Sequence, residues 1–160
     1  LRRDDDQCRQ GRGARRDATE VMSAFHDIYT GRLWSIMSWD QLTAFWGRID
    51  PAAGWYLYAV GEPPPGEPAA AEATRTFIHH VDELLRREHH HDYCAIVYAD
   101  DIEKPSFVKI YDPNNLGVSC GFSNNPPLPG WIMCQLPPED LKPLGPLPES
   151  RKRWWRNLFG

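Results

Sequence analysis

The segment AAAEATRTFIHHVDELLRRE, residues 69–88, carries a helical signature along its whole length. Phe77, Ile78, Val81, Leu84 and Leu85 recur at spacings of three and four, so a helix gathers them into one stripe. Arg75, Asp82, Glu83 and Arg86 then turn away from it. A helix with such a stripe must bury it against another layer of structure. Upstream, GEPPPGEP removes several backbone donors in succession, so any strand before it has to leave its sheet there.

The remaining segments supply that second layer. Ser38 followed by Gln41 is a capping-box pattern, and Trp39, Leu42, Phe45, Trp46 and Ile49 continue at helical spacing until DPAAG closes the turn. Trp55–Val60, Cys94–Ala99, Ser106–Tyr111 and Trp131–Leu136 are short aromatic and β-branched runs that predict strands. The second and third are separated by DDIEKP, of hairpin length, which makes that pair antiparallel. Val108 and Ile110 alternate with Phe107 and Lys109, predicting one buried face and one partly wet face. The pattern predicts an α+β domain: a small, mostly antiparallel sheet of about four strands packed with two main helices.

At 160 residues with 41% apolar side chains, one modest core is within reach. No run of 18 apolar residues occurs and the start has no signal-peptide pattern, so the expectation is a soluble, cytoplasmic protein. Residues 1–21 are rich in Arg, Asp, Gly and Gln and are expected to be disordered. They contain no Met, and Met22 stands directly before the first foldable stretch, which suggests that native translation begins there. The expected organisation is a globular domain over 22–136, a proline-rich tether over 137–149 and a basic aromatic tail over 150–160, the last an amphipathic helix.

Charge is distributed unevenly. Residues 1–21 carry six Arg against five acids, residues 151–160 carry four cations and no acid, and the body between them is strongly acidic. Such a body repels nucleic acid, which leaves the tail as the region able to contact it.

Chemical motifs are sparse. His89, His90, His91, Asp92 and Cys94 are all ligand types, and His89, His91 and Cys94 are the best metal candidates. Adjacent side chains in an extended or turning backbone diverge, however, so the expectation is a polar helix end without a metal. Of the four cysteines, Cys8, Cys94, Cys120 and Cys134, none has CxxC spacing, and reduced thiols are expected. Cys120, beside Gly121 in a long loop, is the candidate for a thiol-dependent enzyme or redox-responsive protein if His26, His79 or His80 supplies a base. Asp100 and Asp101 are expected to be turn residues. There is no phosphate loop, GxGxxG, HExxH or GxSxG, and no cofactor is expected.

Two segments point to binding. In SRKRWWRNLFG, Ser150 is a candidate N-cap, and a helix sets Trp154, Trp155, Leu158 and Phe159 against Arg153 and Arg156 on the other side. Ten residues are too few to remain helical alone in water, so the tail folds when docked. Its receivers are its own acidic body, a partner protein's groove, or an anionic membrane or single-stranded nucleic acid; the tether's reach favours a partner. The long stretch over 112–130 offers Asn114, Asn115, Asn124 and Asn125 framed by Leu116, Phe122 and Trp131. The functional expectation is an accessory or adaptor protein that binds a partner through that loop and through Arg151, Lys152, Arg153, Trp154, Trp155, Arg156, Leu158 and Phe159.

Overall fold

The capping box at Ser38 forms as the sequence predicts: the Gln41 backbone N–H donates to the Ser38 hydroxyl at 3.0 Å, and the Gln41 side-chain oxygen accepts from the Ser38 N–H at 3.2 Å. In this computed structural model, residues 24–116, 127–143 and 147–159 are described. The expectations for residues 1–21 and Met22, and those for Cys8, Cys120, Phe122, Asn124 and Asn125, lie outside the described residues.

The chain divides after Gly31 into two units. Of the first, helix α1 (Ala24–Tyr29) is described; it stacks Phe25 on Tyr29 with ring centroids 6.0 Å apart, and the Thr30 hydroxyl donates back to the His26 carbonyl.

The second unit, Arg32 to Gly160, is an α+β arrangement on a five-stranded antiparallel sheet. Its strands are β1 (Trp34–Ile36), β2 (Tyr56–Ala59), β3 (Val97–Ala99), β4 (Phe107–Ile110) and β5 (Trp131–Cys134). Helix α2 (Trp39–Gly47) joins β1 to β2, α3 (Ala71–Glu88) joins β2 to β3, and α4 (Glu149–Leu158) follows β5. The order across the sheet is β1-β3-β4-β5-β2, so a β3–β4–β5 meander is flanked by two strands from earlier in the chain. The fifth strand relative to expectation is β1. Its three residues, WSI, are too few for an alternating pattern to show, and pairing with β3 makes them a strand.

One face of the sheet carries Ile36, Leu57, Val97, Val108, Ile110 and Met133, which pack in a single cluster with Leu42 and Phe45 of α2 and Phe77, Val81, Leu84 and Leu85 of α3. On the other face a cross-strand row runs Ser35, Tyr98, Lys109, Ile132, Tyr58. It is drier than the alternation in β4 predicts: Phe107, Ile132 and Tyr58 are buried and Lys109 is half-buried, its ammonium pushed toward a lower pKa by that burial.

Asp82 and Arg86 are the second departure. Rather than facing away, they tie α3 to α2. Trp46 Nε1 donates to Asp82 Oδ1 at 3.0 Å, while Arg86 binds the same carboxylate, the Thr43 hydroxyl at 2.7 Å and the Trp39 carbonyl at 3.2 Å. A polar pair beside the apolar stripe thereby closes the seam between two helices that share one sheet face. Asp100 and Asp101 cap the β3–β4 turn, with Asp100 accepting from the Ser106 and Phe107 N–H groups and Asp101 from those of Glu103 and Lys104. Among the described residues, no helix is long and apolar enough to cross a membrane.

A candidate docking surface held by Arg151

Helix α4 starts at Glu149, two residues earlier than Ser150 as N-cap predicts; Pro148 takes the cap position and supplies no side-chain bond, its carbonyl accepting from the Arg151 N–H at 3.0 Å. Without a side-chain cap, the helix depends on tertiary contacts to persist. Three come from rings and aliphatic side chains. Trp154 packs on Trp131 of β5 with centroids 5.1 Å apart, Trp155 meets Phe77 of α3 edge-on at 6.0 Å, and Leu158 adds to the same core.

The fourth contact is polar and buried. Arg151, only 8% exposed, reaches two carboxylates. Its Nε donates to Asp112 Oδ2 at 2.7 Å and its Nη2 to Asp112 Oδ1 at 3.0 Å, a two-pronged pairing. Its Nη1 and Nη2 also donate to Glu88 Oε2 at 3.2 Å and Oε1 at 2.8 Å. The planar guanidinium fork suits this geometry, which a lysine ammonium lacks. Hydrogen bonding to Asp112 first, and then to Glu88, raises the Arg151 pKa further despite burial.

Each acid is placed by its own element. Glu88 ends α3, where the helix dipole disfavours an anion, and the guanidinium offsets that placement. Hydrogen bonding to Arg151 holds its carboxyl below the usual carboxylate range. Asp112 follows β4 and folds the next turn around itself, accepting from the Asn114 N–H at 2.9 Å while its carbonyl accepts from the Asn115 N–H. The Asn114 amide in turn donates to Glu88. Gly130 fits closely beside it: a β-carbon there would stand 3.1 Å from the Asp112 Cβ, so a side chain would have to push that neighbour aside by a few tenths of an ångström. The clamp therefore joins α3, α4 and the start of the 112–130 segment.

Of the residues expected to touch a partner, the structure turns Arg151, Trp154, Trp155 and Leu158 inward. Arg153, Arg156 and Phe159 face out, and half-exposed Lys152 lies 3.7 Å from Glu149. In the loop, Asn114 and Asn115 are exposed, whereas Trp131 is buried under Trp154. Glu88 and Asp112 escaped the sequence reading. A signal for Arg151 was present: at about 100° per residue it falls between Trp154 and Trp155 on the apolar face. A cation amid tryptophans implies buried acids to receive it.

The metal candidates are engaged otherwise. The buried His89 ring pairs its Nε2 with the Cys94 carbonyl at 2.9 Å, and burial lowers its pKa. The His91 ring stacks on Tyr93 at 5.2 Å. Among the described residues no three His, Cys, Asp or Glu side chains gather as a metal site would require. Burial pushes the Cys94 thiol up and the Cys134 thiol up to about 12, the reverse of what a thiolate nucleophile needs.

The clamp makes stability depend on pH with a definite sign. The Glu88 pKa is depressed on folding, so its contribution is full above its unfolded value of about 4.3 and is lost as pH falls through the lower folded value. The urea midpoint of the Glu88→Gln variant should therefore lie below wild type at pH 7 and converge toward it as pH falls below about 4.3. Losses from neutral, buried His89 begin higher, near pH 6.5, and are common to both proteins. A gap that stays constant over the acid range contradicts the assignment.

No protein-family model matches this sequence, and comparison with curated proteins and with solved structures finds no significant match.

Proposed function

We propose that this is an accessory protein that binds a partner protein through one surface made of the outward side of α4 and the start of the 112–130 segment. The observation that carries the reading is the Arg151 clamp, because its bonds to Asp112 hold the two segments together. On that surface Lys152, Arg153 and Arg156 supply positive charge, Phe159, 47% exposed, supplies an apolar anchor, and Asn114 and Asn115 supply amide groups. An acidic partner surface with an apolar notch fits this chemistry.

The membrane and single-stranded nucleic acid readings need tryptophans to insert or stack, and Trp154 and Trp155 are occupied by Trp131 and Phe77. Cys120, the candidate for a thiol mechanism, lies outside the described residues.

Deleting the tail is a poor test, since it would unpair Glu88 and Asp112 and bare Trp131. Outward changes are cleaner. The full chain and an Arg153→Glu, Arg156→Glu variant should unfold at similar urea concentrations yet differ in proteins cross-linked from native lysate. The proteins lost by the variant should also be released from wild type by raising salt from 0.05 to 0.5 M, concentrations that shorten the screening length severalfold. Identical, salt-insensitive capture by both would refute the proposal.

A further inference from the structure

Helices α2 and α3 leave a cleft of about 440 Å³ between them, within the size range of small-molecule sites. It shares no lining residue with the α4 surface. Trp46, Ile49 and Pro51 on one side and Ile78 on the other give it apolar walls. Thr43 and Asp82 mark one end, where Arg86 binds them both. Arg75 lies seven residues before Asp82 on α3, two turns and about 10 Å away.

The charges of the lining sort by what already satisfies them. Asp82 accepts from Trp46 Nε1 and Arg86, so its carboxylate is occupied. The His79 ring lies 3.6 Å from the Glu83 carboxylate. Arg75 is a charged group of the cleft without an ion pair among the described residues. An apolar slot with one unpaired guanidinium at its end complements an elongated molecule having an apolar body and a terminal carboxylate. A neutral ligand leaves Arg75 unused, and a cation would meet it with the wrong sign.

We propose that the α2–α3 cleft binds a small amphiphilic monocarboxylic acid, its carboxylate on Arg75 and its apolar body along Trp46 and Ile78. Occupancy covers the edge of the Trp46 indole, whose N–H is held by Asp82 and gives a distinct NMR signal.

The test titrates the full chain, labelled with nitrogen-15, with 2-naphthoate and separately with 2-naphthalenemethanol, its neutral counterpart. The expected result is saturable movement of the Trp46 indole signal by the acid at submillimolar concentration, with the alcohol at least about fivefold weaker. Arg75→Gln, an exposed change that leaves the core alone, should remove that preference while preserving alcohol binding. Equal affinity for acid and alcohol, an unaltered preference in Arg75→Gln, or no movement of the Trp46 signal at 2 mM acid each overturns the proposal. So does a result in which an acidic amphipathic peptide moves the Trp46 signal and 2-naphthoate does not. Loss of partner capture in the α4 variant has no bearing on these readings.

Discussion

Replacing Arg151 with Met should lower unfolding free energy by about 3 kcal/mol, as expected when one partner of a buried ion pair is removed. Methionine keeps much of the aliphatic volume but leaves Asp112, 7% exposed, with an uncompensated charge, and returns Glu88 to the unfavourable end of α3. Its expected spectroscopic sign is a red shift in tryptophan emission as α4 loosens and Trp154 and Trp155 meet water. Adding Asp112→Asn should recover part of the loss, because the buried anion is then gone. Urea titrations of wild type and these two variants check both statements. A cost under about 1 kcal/mol for Arg151→Met, within the range of exposed pairs, would mean that α4 is held by its rings and the clamp is incidental.

Phe77→Ala is expected to cost more, about 4 kcal/mol, in line with truncation of a fully buried phenylalanine. Phe77 belongs to the core cluster and is also the ring that Trp155 meets edge-on, so its loss opens a cavity beneath α4 as well as within the α3 stripe. The contrast is Glu83→Ala, on the exposed side of α3, which should stay within about 0.5 kcal/mol. Near-UV circular dichroism of Phe77→Ala should also weaken in the tryptophan region, since Trp155 loses the ring that orders it. Equal stability of the two variants would contradict the packing described here.

Much of the fold was legible because its signals are local. The α3 stripe, the α2 capping box, the β3–β4 hairpin and the strand character of β2 and β5 depend on neighbours within a few residues. β1 was illegible for the same reason: three residues carry no period, and its strand identity comes from β3, more than sixty positions away. Asp82 and Arg86 were misplaced because their partners, Trp46 and Thr43, belong to another helix. Phe107 was read by alternation as a wet-face residue, and its burial depends on what the tertiary fold brings over that face.

At the candidate surface the division is sharper. The tail's charge, its aromatic content and its capacity to become an amphipathic helix follow from its own residues. Which side of that helix would be hidden, and by what, does not. Glu88 and Asp112 are separated from Arg151 by 63 and 39 residues, and no pattern within α4 names them. Local residue spacing was enough for α2, α3, the tail helix and four of the five strands, because helix and strand periods arise from repeated short-range spacing. The tertiary structure alone decided that Arg151 is an internal clamp while Arg153, Arg156 and Phe159 remain outside. A buried ion pair is a relation between distant groups, settled only when the sheet and α3 bring two carboxylates within reach of one guanidinium.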